Sequence, residues 1–177
     1  GMIGGQTIDI ISENQAIDLA ALENMHRMKT GALIKAPVLA ASVISEVPDD
    51  IYAVISEYAE RIGLAFQILD DVLDIEGPPE VTGKHRGTDL LDGTVTLPFL
   101  LARATEAELG ALDLRAVTTA DAAEELCARI IATGATQEAR RLALQHVAQA
   151  KAAIPVGDET RAHALTLVAD SVVARYS

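Results

Sequence analysis

Between Ile51 and Leu73, apolar side chains fall at Ile51, Val54, Ile55, Tyr58, Ile62, Phe66, Leu69 and Leu73. Steps of three and four residues put such a set on one side of a helix, which the period of two in a strand cannot do. Pro48-Asp49-Asp50 supplies a turn and an N-cap ahead of it, and Gly77-Pro78-Pro79 ends it. The rest of the chain has the same character: aromatic residues make up only 3% of it, Ala and Leu abound, and β-branched alternation is scarce. The expected fold class is all-α.

Glycine and proline mark the joints between further helices. Asn14 or Asp18 opens a helix whose apolar residues Ile17, Ala21, Met25 and Met28 recur at helical spacing up to a junction at Lys29-Thr30-Gly31. A second helix is expected over 32–45, with Pro37 near its start. The segment from Gly77 to Thr94 is polar and glycine-punctuated, a loop of a length that signals function or mobility. Helix resumes at Leu97-Pro98, then over 120–132 up to Gly134, over 137–154 up to Pro155, and from Asp158 as N-cap to Tyr176.

Charge and cysteine content exclude several function classes. With 14 Lys+Arg against 26 Asp+Glu the net charge is −12, and no basic run occurs, which disfavours nucleic acid or an anionic membrane as the main partner. The 177 residues amount to a single domain. Cys127 is the lone cysteine, so no intrachain disulfide is possible, and a reducing, cytoplasmic setting fits. The longest charge-free apolar stretches, 36–45 and 95–102, fall far short of the ~18 residues of a membrane span. Gly1-Met2-Ile3-Gly4-Gly5 lacks a charged region of the secretory kind, so no leader is expected either.

The chemistry concentrates on the long helix. On a wheel of about 100° per residue, Glu60, Gly63, Gln67, Asp70, Asp71 and Asp74 share one arc of roughly 100°, opposite Ile62, Phe66, Leu69 and Val72. Asp70 and Asp74 stand four residues apart, where like charges repel, and no Lys or Arg lies three or four residues from any of the three aspartates. Either this is an ordinary solvated acidic face, or it holds an external cation, for which oxygen donors favour Mg2+ or Mn2+ over zinc. Gly83-Lys84-His85-Arg86-Gly87 and Lys29-Thr30-Gly31 bring positive charge suited to phosphate. Taken singly, each also fits a solvated, flexible loop. His26, His85, His146 and His163 share no metal-binding spacing and receive no role.

Four segments together carry a resemblance. Gly4-Gly5-Gln6, then 26–34 (His-Arg-Met-Lys-Thr-Gly-Ala-Leu-Ile), then 63–74 (Gly-Leu-Ala-Phe-Gln-Ile-Leu-Asp-Asp-Val-Leu-Asp), then 82–98 with its Gly-Lys-His-Arg-Gly-Thr-Asp-Leu run, occur in this order. The chain resembles the trans-isoprenyl diphosphate synthases. The resemblance implies an isoprenoid synthase-type helical bundle and an elongating prenyltransferase. In such an enzyme an allylic diphosphate ionises, the double bond of isopentenyl diphosphate attacks the carbocation, and a proton is lost. Asp70, Asp71 and Asp74 match the second aspartate-rich motif, which helps hold magnesium on the allylic diphosphate. Lys29 and Lys84 match diphosphate-binding lysines, and Thr30 and Gln67 match polar groups whose oxygens face the developing carbocation. The family is normally homodimeric, so a homo-oligomer is implied.

The sequence also departs from the family. The first aspartate-rich motif, the basic isopentenyl diphosphate pocket and the residues that set product length have no counterpart in it. Thr94 stands where many relatives have Lys, and Pro37 falls in a helix that is usually continuous. The expectation is therefore that 1–177 is the C-terminal portion of a polyprenyl synthetase domain, inactive alone; a non-catalytic subunit of a heteromeric prenyltransferase is the alternative.

Overall fold

The computed structural model describes residues 1–15, 17–78, 83–155 and 159–174, and among them every regular element is helical. In chain order these are α1 (Met2–Ser12), α2 (Leu19–His26), a π-helical turn (Arg27–Gly31), α3 (Ala32–Ile44), α4 (Asp49–Glu76), α5 (Thr88–Leu91), α6 (Leu97–Thr105), α7 (Ala107–Ala111), a 3-10 turn (Leu114–Ala116), α8 (Ala120–Ala132), α9 (Ala135–Ala152) and α10 (Glu159–Ala174). The all-α class, the long helix α4 and the helix over 120–132 stand as expected. The proposed ends at Asp158 and Tyr176 lie outside the described residues.

Three local readings are corrected. Of the two candidate helix openers, Asp18 is the cap: its Oδ1 accepts from the Ala21 N–H at 2.8 Å. Asn14 instead adopts φ 58° in the connection, and its N–H donates to the Gly93 carbonyl at 2.9 Å. Lys29-Thr30-Gly31 is no break between helices, because α2 passes through the π turn into α3 without interruption. Nor does Pro37 interrupt α3, which is helical on both sides of it. A helix over 2–12, unexpected because Gly4 and Gly5 both disfavour one, is imposed by tertiary packing described below.

α4 is the axis of the molecule. Tyr58, Ile62, Leu69 and Val72 on it are buried with Ala139, Ala143, Val147 and Ala150 of α9, whose small side chains let the two helices run close together. Each large side chain buried in this way contributes roughly 1.5–3 kcal/mol. The Tyr58 hydroxyl donates to the Leu165 carbonyl at 2.6 Å and so ties α10 to the same axis. A second apolar cluster, built on Ile75, Leu90, Val95, Phe99, Cys127 and Ile130, packs α5, α6 and α8 around the C-terminal end of α4. The arc expected to be polar is covered too: Gly63, Gln67 and Asp71 are buried, whereas Phe66 on the apolar side is only partly so. That face of α4 is covered by α2 and the π turn, with α1 packed on the turn, and this encloses the site.

Candidate functional site

Two close backbone approaches create the site. Gly5 of α1 rests on the π turn so tightly that a Cβ there would overlap the Lys29 nitrogen and Cα. Gly63 of α4 meets the turn from the other side, where a Cβ would stand 2.8 Å from the Gly31 Cα. A π turn widens the helix locally and breaks its side-chain register, a device found frequently at functional sites. Held between α1 and α4, this one carries Lys29 and Thr30 to the polar arc of α4.

The result is a small cavity of about 100 Å3. Lys29 and Thr30 line it from the turn, and Gln67, Asp70 and Asp71 from α4, so five of the residues singled out in the sequence meet there. Asp74 and Lys84 are not in its wall but adjoin it: Asp74 accepts from the Asp89 N–H at 3.3 Å, and the positive charge of Lys84 works against the burial that raises the pKa of both Asp74 and Asp89. Sequence reasoning missed Asp9, His26 and Asp89, which also line the cavity. Asp9 pairs with the Lys29 ammonium, a contact across 20 residues that no local pattern announces. The position of Asp89 one turn into the basic loop was the available signal for it.

The segment from Gly83 to Thr96 is fastened to α4 rather than open to solvent. The Gly87 N–H donates to the Asp74 carbonyl at 2.8 Å, and the Arg86 Nε donates to the Ile75 carbonyl at 3.0 Å while the guanidinium pairs with Glu124 at 2.9 Å. Gly87 has φ +71°, and a Cβ there would come within 2.7 Å of the Cys127 Sγ, so this turn requires glycine. α5 and the Thr94 N–H to Asp89 carbonyl bond at 2.8 Å complete the fold-back, and Thr94 lines the cavity.

The three aspartates have different surroundings. Asp70 is exposed, and Asp74 is partly buried against the loop. Asp71 is buried: its Oδ2 accepts from the Leu97 N–H at 2.7 Å, and its Oδ1 lies 3.6 Å from the His26 Nε2. Burial pushes the Asp71 pKa well up, against the Leu97 hydrogen bond that stabilises its carboxylate. Burial, and after it the charge of Asp89, pushes Asp74 up to about 7. Asp89 is raised by its own burial and by Asp70, against the pull of Lys84. His26 is lowered to about 4 by burial and by Lys29, so at neutral pH it meets Asp71 as a neutral ring and not as an ion-pair partner. The site holds more negative charge than its lysines neutralise.

Does this donor set fit a metal? Among the described residues no three His, Cys, Asp or Glu side chains are disposed to enclose an ion alone. Mg2+ rarely asks for that: it keeps several waters and takes one or two carboxylates plus phosphate oxygens. Under-neutralised, oxygen-only donors such as Asp70 and Asp74 fit such an ion. A larger cavity of about 460 Å3, between α4 and α9, is chemically quieter, because Arg27 pairs with Glu60 at 3.6 Å and Arg61 with Glu57 at 2.6 Å within it.

An all-α bundle with lysines and aspartates gathered beside a π turn belongs to a known class of structure. The fold matches that of a polyprenyl synthase from Caulobacter crescentus CB15 complexed with calcium and isoprenyl diphosphate, with a TM-score of 0.86 and 30% identity over 99% of this chain. Residues 1–134 match the family model described as Polyprenyl synthetase, and the chain belongs to that family. It is 46% identical over 102 residues to the farnesyl diphosphate synthase of Escherichia coli K12, and 37% over 102 residues to that of Bacillus subtilis 168. Those matches take in 57% and 58% of this chain but 34% of each synthase, and the Caulobacter match takes in 56% of that chain. Among the described residues no helix is long and apolar enough to cross a membrane.

Proposed function

We propose that this chain carries the second-aspartate-motif part of a polyprenyl diphosphate synthase, a prenyltransferase that joins isopentenyl diphosphate to an allylic diphosphate. The observation that carries this reading is the convergence of Lys29, Thr30, Gln67 and Asp70 on one cavity, with Asp74 and Lys84 adjoining it. The names of the relatives, farnesyl diphosphate synthases among them, support the substrate class.

In this reading Mg2+, or Mn2+, is held by Asp70 and Asp74, with Asp89 beside them. When bound, the ion neutralises charge on the departing diphosphate and makes it a better leaving group. Lys29 and Lys84 donate to the diphosphate oxygens, Lys29 exchanging its bond to Asp9 for one to phosphate. The Thr30 hydroxyl and the Gln67 amide oxygen face the carbon at which positive charge develops. Gln67 is 7% exposed, so packing fixes its dipole before the reaction, and no reorganisation is needed as charge appears. The proposed setting is the cytoplasm, and the proposed assembly is a homo-oligomer formed through the exposed apolar residues of α1 and α3.

Calorimetric titration of the chain with Mg2+ and inorganic pyrophosphate tests the site. The Asp70→Ala/Asp74→Ala double variant is expected to bind at least about tenfold more weakly, since each charge-assisted contact is worth roughly 1.5–3 kcal/mol. Equal binding by the two proteins refutes the metal assignment.

A further inference from the structure

We infer that Asp71 is a positioning residue rather than a metal ligand: its carboxylate caps α6 and thereby fastens the far end of the 83–96 loop to α4. The inference rests on the proposed function only for what the loop is being positioned to do. Leu97 is the first residue of α6, where a backbone N–H has no acceptor within its own helix. A threonine at the N-cap normally accepts from a later amide of the same turn and closes the helix end. Here Thr96 does not: its Oγ1 is buried with no hydrogen-bond partner, and no local side chain caps the helix. Pro98 at the second position has no N–H at all. Of the first-turn amides of α6 that the helix itself cannot satisfy, the Leu97 N–H is satisfied at 2.7 Å by Asp71, 26 residues upstream.

Geometry also separates Asp71 from its neighbours in the motif. Asp70 is exposed, whereas Asp71 is 8% exposed, with one oxygen taken by Leu97 and the other facing the buried ring of His26. The loop is then held at both ends by the helix that carries the acidic motif. At one end Gly87 and Asp89 bind Asp74, and at the other Leu97 binds Asp71. Such a double attachment fixes Asp89 and Thr94 in the wall of the cavity that Lys29 also lines before any ligand arrives.

Asn at position 71 keeps a carbonyl oxygen for the Leu97 N–H but gives up the negative charge, so it separates capping from ligation. Two measurements on the full chain decide: hydrogen exchange at the Leu97 amide without metal, and affinity for Mg2+ with inorganic pyrophosphate. Asp71→Ala is expected to speed Leu97 exchange by about tenfold to a hundredfold and to weaken pyrophosphate binding. Asp71→Asn is expected to restore both to within about threefold of wild type. Asp70→Asn is expected to weaken binding about tenfold while Leu97 stays protected. If Asp71→Asn loses binding as Asp70→Asn does, with Leu97 still protected, Asp71 is a ligand and the inference fails. It also fails if Leu97 exchange is unchanged in Asp71→Ala. A wild-type chain that does not bind Mg2+ with pyrophosphate overturns the metal-site reading instead, and the exchange measurement still decides the cap.

Discussion

Gly5 of α1 and Lys29 of the π turn lie backbone against backbone, with no room for a side chain at position 5. That approach brings Asp9, one turn further along α1, to the Lys29 ammonium and closes one wall of the cavity. The glycine pair at 4–5, poor helix material by propensity, is thus part of the site's construction.

Gly5→Ala is expected to destabilise the chain although alanine favours helix. The new methyl meets backbone and not the flexible end of a side chain, so α1 must move, at about 1–3 kcal/mol. Thermal unfolding followed by circular dichroism should show a midpoint lower by roughly 3–10 °C. An unchanged or higher midpoint would mean that α1 is not seated on the turn.

Removing the acid at position 74 is expected to stabilise the metal-free protein at high pH. The folded-state pKa of Asp74, about 7, lies above its ordinary value of 3.8, so between these values the folded chain binds more protons than the unfolded one. Stability therefore falls as pH rises through this window, and the full penalty stands above pH 7. Asp74→Asn should unfold in urea with a gain of roughly 1–3 kcal/mol at pH 8 and almost none at pH 4. A gain of equal size at both pH values contradicts the assignment.

Asp9 and pyrophosphate compete for Lys29 in the proposed site. Asp9→Asn removes the partner of the ammonium and one negative charge from the cavity wall. Metal-free pyrophosphate is expected to bind about three- to tenfold more tightly at low salt, and this advantage should shrink at 0.5 M salt because the effect is electrostatic. Weaker binding by Asp9→Asn would mean that Asp9 orients Lys29 for phosphate instead of occupying it.

Self-association is the expected outcome of the apolar side chains that α1 and α3 leave uncovered. Ile3 and Ile44 are 80% and 82% exposed, with Ile10, Ile11 and Val43 also in water. At about 25 cal/mol per Å2, covering a few hundred Å2 of such surface gains several kcal/mol. Light scattering at micromolar concentration should detect a species larger than a monomer, and Ile11→Glu/Ile44→Glu should dissociate it. A monodisperse wild-type monomer that does not bind ANS would overturn the expectation.

The sequence by itself determined the helical class and the axis of the molecule, because the three-four spacing from Ile51 to Leu73 has no other regular solution. It also marked Lys29, Thr30, Gln67, Asp70 and Asp71 by residue type, order and resemblance, and these meet at one cavity. Local chemistry sufficed there, since chemistry-bearing residues on one helix share a face whatever packs against them.

Only the tertiary structure decided what each of those residues touches. Three carboxylates within five residues look alike in sequence, yet Asp70 faces solvent, Asp74 binds the loop backbone and Asp71 caps a helix 26 residues away. Asp9 and His26 received no role from the sequence, because what they touch depends on close backbone approaches at Gly5 and Gly63 between elements far apart in the chain. The long loop looked open for the same reason: its hydrogen bonds run to α4, and a donor's distant acceptor is not encoded next to it.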